Sequence, residues 1–277
     1  MTLVLLWKND AELVVIADTQ FMAQGRPGLS AGPKIFLVPL RISRFGTNNE
    51  TQVFPDLGFA FAGFTMAGQI THAIASAGLQ NLVGSDEATC PSIGEVADYF
   101  ARCATFVVDE MRRIAPGPSY LFEGVVFGWE GSEAIAYSFE VGIDSESRAA
   151  SSTRLLDFAK SGLYAIGQGH EKVQAYIDST AAEGRRASPY DALLSVIKDV
   201  SVPGVGGSVQ AAVTSNRGTE LKAVLIVDQT GAATGGFMGA DMARLGRVGS
   251  FVPLGGRPVV LAAKLEDPSP LKTPSGL

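Results

Sequence analysis

Apolar runs that do not alternate with polar residues mark most of the strands this chain predicts. A sheet with one wet face alternates, so a run such as Leu13-Val14-Val15-Ile16 belongs to a strand buried on both sides. Leu3 to Trp7 predicts a first strand, Lys8-Asn9-Asp10-Ala11 a turn, and Glu12 to Ala17 a second strand ending in Asp18. After a loop containing Gly and Pro, Lys34 opens a third strand, Ile35-Phe36-Leu37-Val38. Residues 40–52 read as a polar, turn-rich connection, and Leu57 to Gly63 as a buried strand running into glycine. A helix is predicted from Thr65, taken as its N-cap, to about Asn81. The next helix carries the stronger signal. Ser92-Ile93-Gly94-Glu95 is a capping box, and Val96, Phe100, Cys103, Val107 and Met111 then recur on one helical face.

Pro116-Gly117-Pro118 ends that helix; Leu121 to Trp129 and Glu133 to Val141 follow as strands about the turn Glu130-Gly131-Ser132. Residues 144–153 read as a Ser-rich connection. Leu163 to Ile166 is a short strand running into Gly167-Gln168-Gly169-His170, where another helix starts. A further helix begins at Ser188-Pro189, with proline at the favoured first position. Val209 to Thr214 and Leu221 to Val227 predict a hairpin around Asn216-Arg217-Gly218. The order is strands, two helices, strands, two helices, strands, an α+β class. Residues 228–277, with nine Gly and five Pro, predict one further strand at Pro258 to Ala263 and a loose tail from Asp267.

At 277 residues with 46% hydrophobic composition, the chain can bury a full core and is not of disordered type. A net charge of −6 leaves no electrostatic footprint for nucleic acid. No apolar run reaches the roughly 18 residues of a membrane span, and no leader pattern opens the chain, so a cytoplasmic location is expected. Cys90 and Cys103 are too few for a disulfide framework, and Cys103 on its helix's apolar face reads as an inert core thiol. His72 reads as helix packing and His170 as a helix-start residue. Two His and two Cys so dispersed make no zinc cluster, so no metal is expected. Gly204-Val205-Gly206-Gly207 lacks the lysine of a phosphate loop, and no cofactor is expected.

One set of polar residues stands out against this background. Thr2, Asp18 and Lys34 each sit at a strand end, sixteen residues apart in turn. With each type near 5% of an average chain, three such fixed hits arise by chance about once in several thousand trials. This spacing, with Ala17-Asp18-Thr19, resembles the β-type subunits of the proteasome family, N-terminal-nucleophile hydrolases whose mature chains begin with threonine. The resemblance covers Thr2 to Val227, a domain over 1–227 with residues 228–277 as a C-terminal extension. It implies a four-layer αββα sandwich of two antiparallel sheets covered by helices. It also implies a homo-oligomeric ring that cleaves peptide bonds; whether an ATP-dependent unfoldase feeds such a ring is open.

The chemistry follows from the residue types. An N-terminal threonine carries its own base, an α-amine of pKa about 7.7–8.0, close to working pH. This requires removal of Met1, since an amide nitrogen is no base. By the resemblance, Lys34 favours the neutral amine and settles charge on the oxygen, Asp18 holds Lys34, and the backbone N–H at Gly63 serves the oxyanion. Three positions depart from the family. Gln20 replaces an arginine. Gln168, beside Gly169, replaces the serine that supports the amine. The family's later Asp-x-x-Ser pair would start at Asp199, with Ser201 one residue early.

Plainer readings stand beside these. Asp18 could pin a loop, Lys34 could be a solvated strand start, and Gly63 a tight turn. For function, three readings follow: a threonine peptidase in a ring, an amidase or acyl-transfer enzyme on a small substrate, or a catalytically degenerate scaffold subunit.

Overall fold

The computed structural model describes residues 2–23, 26–45, 51–85, 89–114, 120–145, 148–227, 233–246, 248 and 258–262. Strands β1 (Leu3–Asn9) and β2 (Glu12–Asp18) form the first hairpin, turned at Asp10 with φ +56°. The short ribbon β3 (Met22–Ala23) and β4 (Arg26–Pro27) precedes β5 (Ile35–Val38). Then come β6 (Arg41–Phe45), β7 (Thr51–Val53), β8 (Leu57–Gly63), α1 (Thr65–Leu79), β9 (Leu82–Ser85) and α2 (Ile93–Ile114). Strands β10 (Phe122–Glu130), β11 (Glu133–Ile143), β12 (Ala149–Leu155) and β13 (Leu163–Gly167) lead to helices α3 (His170–Ala182) and α4 (Pro189–Lys198). The chain continues through β14 (Val209–Ser215), β15 (Gly218–Lys222), β16 (Val224–Val227), β17 (Ala233–Phe237), β18 (Ala240–Asp241), α5 (Met242–Leu245) and β19 (Val259–Ala262).

Two five-stranded antiparallel sheets dominate this α+β fold, one ordered β13-β1-β2-β14-β15 and the other β12-β11-β10-β8-β5. Alternate side chains of one strand enter different cores. Val4 and Leu6 join Ala60, Ala62, Val125 and Phe127 in a cluster that draws on both sheets. Leu3 and Leu5, on the opposite face, pack with Val173 of α3 and Leu193 and Val196 of α4. Phe59 and Phe61 of β8 likewise pack away from Ala60 and Ala62, against Phe100 and Ala104 of α2. Strands β1, β2 and β8 are therefore dry on both faces, which is why they read as unbroken apolar runs. The residues shared between the sheets are mostly alanine and valine, small enough for two backbones to approach closely.

The capping box forms as predicted: Ser92 N–H donates to Glu95 Oε2 at 2.8 Å and Glu95 N–H to Ser92 Oγ at 3.2 Å. Helix α1 differs from its prediction. Its N-cap is Phe64, without a side-chain cap bond, and Thr65 is already the first helical residue.

Two polar stretches expected as connections contain strands. Within 40–52, β6 and β7 pair, and β6 runs parallel to β9 in a small sheet ordered β7-β6-β9. Within 144–153, β12 begins and completes the edge of the second main sheet. The hairpin expected to close at Val227 stops at Lys222. Beyond Ala223, β16 leaves for a separate sheet, ordered β18-β17-β16-β19, where it pairs antiparallel with β17 and parallel with β19. A boundary at Val227 thus cuts between strands hydrogen-bonded to one another. Pro116-Gly117-Pro118 and the tail from Asp267 lie outside the described residues. Among the described residues no helix is long and apolar enough to cross a membrane.

Candidate active site

The antiparallel pairing of β1 with β2, Val4 opposite Ala17, brings the start of the first strand against the end of the second. Asp18 meets Leu3, the residue after Thr2, and Lys34 comes from the other sheet, immediately before β5. Thr2, Asp18 and Lys34 are all fully buried. Lys34 Nζ lies 3.0 Å from Asp18 Oδ1 and 2.9 Å from Oδ2. Asp18 Oδ1 also accepts the Leu3 N–H at 2.9 Å, and Oδ2 the N–H groups of Gln20 at 3.1 Å and Gly206 at 3.0 Å. The carboxylate therefore ties the residue after Thr2 to the lysine. Burial pushes the Lys34 ammonium below its ordinary value, against the opposing attraction and hydrogen bond of Asp18.

A buried amide fixes the lysine backbone. Gln210 Oε1, from β14, accepts the N–H groups of Lys34 at 3.0 Å and Ile35 at 3.1 Å. Its Nε2 donates to the carbonyls of Asp18 at 3.1 Å and Gly32 at 3.4 Å. Thr19 locks the adjoining loops, donating from Oγ1 to Ser30 O at 2.6 Å and accepting the Ser208 N–H at 2.7 Å. Gln20 donates to Pro203 O at 2.8 Å.

On the other flank, Thr2 borders a cavity of about 220 Å³ whose wall includes Ala62, Gly63, Glu123, Glu140, Gly167 and Gln168. The Thr2 carbonyl accepts the Gln168 N–H at 2.9 Å. Gly167 has φ +90°, and a Cβ there would lie 2.0 Å from Thr2 O and 2.6 Å from Ala62 Cβ. Gly63 has φ +114°, and a Cβ there would meet Leu121 O and Phe122 Cα, each at 2.8 Å. Both positions need glycine for its backbone conformation and for the close approach. Among the described residues, Thr2 Oγ1 and Gln168 Oε1 are buried without a hydrogen-bond partner. Both belong to residues that line this cavity.

No protein-family model and no curated protein matches this sequence. Solved structures do match in fold. One, described as the helical assembly of the Anbu complex from Pseudomonas aeruginosa, superposes with a TM-score of 0.54 at 15% identity, over 78% of this chain and 83% of that one. At that identity the likeness is one of fold.

The eight predicted site residues divide into two groups. Thr2, Asp18, Lys34, Gly63 and Gln168 converge on one region, through the carboxylate network or around the cavity. Asp199, Ser201 and Gly169 do not join it. Asp199 Oδ1 accepts the Ser201 N–H at 2.8 Å, and its Oδ2 lies 3.1 Å from Lys172 Nζ. The bonds from Ser201, then the Lys172 ammonium, hold its carboxyl at about 2. Ser201 is exposed, and neither residue lines the cavity. The pair closes the turn after α4 and clamps it to α3. Gly169 is the left-handed N-cap of α3, where a Cβ would lie 2.9 Å from Val196 Cγ1.

Sequence reasoning passed over Gln210, Glu123 and Glu140. Gln210 had a readable signal: a lone amide inside the run Val209-Gln210-Ala211-Ala212-Val213 has no packing reason to be there. His170 is exposed at the start of α3, its Nδ1 3.2 Å from Gly167 O, as a helix-start residue would be.

Proposed function

We propose that this chain is an N-terminal threonine hydrolase of amide bonds, of proteasome β-subunit type, built as a four-layer αββα sandwich. The observation that carries this reading is the buried Lys34–Asp18 pair, bonded through the Leu3 N–H to the strand that presents Thr2, whose hydroxyl is unpartnered at a cavity. The layered packing of both sheets and the Anbu-like fold support it. That neighbour's description as an assembly supports a homo-oligomer in turn, with a ring as the expected form.

The reading requires removal of Met1, after which the Thr2 α-amine takes the proton from Oγ1 as the oxygen attacks the substrate carbonyl. Lys34, kept protonated by Asp18, lowers the cost of charge on that oxygen and keeps the amine neutral. The backbone at Gly63 faces the developing oxyanion, an interaction worth about 2.7–4 kcal/mol where present. The protonated amine then hands its proton to the departing amine, leaving an ester on Thr2. Water, deprotonated by the same amine, hydrolyses that ester.

One observation favours a small amide over a long peptide. The cavity of about 220 Å³ falls below the roughly 300–1,000 Å³ of ordinary ligand pockets. A panel of unstructured peptides and small amides separates the two substrates. The hydrolase reading itself is tested by intact mass and by a threonine-directed epoxyketone or β-lactone. The protein should lack Met1 and gain one adduct, and Thr2→Ala should gain none. Retained Met1, or an undiminished adduct on Thr2→Ala, would leave a scaffold subunit as the better description.

A further inference from the structure

The wall of the cavity beside Thr2 is rich in acceptors. Glu123 of β10 and Glu140 of β11 stand directly opposite each other in the antiparallel register, and both line it. Like charges directly opposite on paired strands are unfavourable. Among the described residues neither carboxylate has a cation within ion-pair distance. Burial and then the Glu140 charge push the Glu123 carboxyl up, and the Gly167 N–H and the more distant His170 only partly offset this. The amide oxygen of Gln168, buried and unpartnered, adds a third acceptor. Thr2, with no exposed surface and an unpartnered hydroxyl, supplies a polar atom at the same wall. The set is short of donors carrying positive charge.

We propose that this cavity is a recognition subsite for a cationic group of the substrate, a primary ammonium or a guanidinium, held between Glu123 and Glu140 with Gln168 Oε1 accepting a further N–H. A cation there relieves the repulsion between the two carboxylates and satisfies the orphan amide oxygen in one step. A neutral group of the same shape leaves the repulsion between the carboxylates in place. The inference adds a substrate class to the hydrolase reading and rests on it for the step at Thr2. The binding itself needs only the acceptors.

The test uses the full-length protein and calorimetric titration with two isosteric pairs: Nα-acetyl-lysine amide against Nα-acetyl-norleucine amide, and Nα-acetyl-arginine amide against Nα-acetyl-citrulline amide. Each cationic member should bind at least tenfold more tightly than its neutral partner. The conservative double variant Glu123→Gln/Glu140→Gln, its fold checked by circular dichroism, should lose that preference. Equal binding within each pair, or a preference unchanged in the double variant, overturns the proposal. Repeating the titration on Thr2→Ala separates it from the hydrolase reading. A preference kept there, in a protein whose Thr2 takes no epoxyketone, upholds the subsite while the hydrolase reading falls. Labelling of Thr2 with no preference within either pair does the reverse.

Discussion

Lys34 holds Asp18 by both carboxylate oxygens, at 3.0 and 2.9 Å, with neither side chain exposed. A buried pair of this kind adds little net stability over an apolar replacement, yet breaking it strands a charge without water. Lys34→Met should therefore destabilise the fold by about 3–5 kcal/mol, and Asp18→Asn by a similar amount. The double variant should cost clearly less than their sum, because no charge is left stranded. Urea titration of the three variants checks this. Additive losses would mean that the two residues act separately.

Gly167 and Gly131 both have positive φ, +90° and +62°, but only Gly167 is crowded. A Cβ at Gly131 has nothing within 4 Å, so Gly131→Ala should cost about 1 kcal/mol for backbone strain alone. At Gly167 the added carbon would lie 2.0 Å from the Thr2 carbonyl, and rigid backbone must move. Gly167→Ala should lower the melting temperature several degrees more than Gly131→Ala. It should also slow epoxyketone labelling of Thr2, which Gly131→Ala should leave unchanged.

Gln210 makes a third case. Gln210→Leu keeps the strand's shape but removes the acceptor shared by the Lys34 and Ile35 N–H groups. Each orphaned donor should cost roughly 1–3 kcal/mol. Amide hydrogen exchange should accelerate at those two positions in particular. Unchanged protection there would show that the side chain does not hold the lysine backbone.

What the sequence disclosed follows from how each residue meets water. Strands β1, β2, β5 and β8 are dry on both faces, so their composition announced them and set their bounds within a residue or two. Strand β12 does not announce itself: Ser151, Ser152 and Thr153 are polar residues of an edge strand, half-buried, exposed and half-buried in turn. It is held by pairing with β11 and by bonds to α2, such as Ser151 Oγ to Ala101 O at 3.1 Å and Ala149 N–H to Asp109 Oδ1 at 2.8 Å. The α2 partners are 40 or more residues away, beyond any local pattern. The same division runs through the site. Thr2, Asp18 and Lys34 stood out as polar residues closing apolar runs. Asp199 and Ser201 were placed by spacing alone, and a two-residue turn satisfied them first.

His72 ties a pH dependence to the core beneath α1. Its ring lies 4.5 Å from that of Phe36 and 6.0 Å from that of Phe59, and Nε2 is 2.9 Å from Leu37 O. Burial lowers its pKa below the ordinary 6.5, the bond to the Leu37 carbonyl opposing only in part. Between that lowered value and 6.5 the unfolded chain binds a proton that the folded chain does not, so stability rises with pH across the window. The contribution is complete above pH 6.5 and is lost as pH falls through the folded-state value. His72→Phe should remove this part of the slope while lowering stability at neutral pH through the lost hydrogen bond. Urea midpoints measured from pH 5 to 8 decide the matter. Parallel curves for the two proteins would show that His72 is not the titrating group.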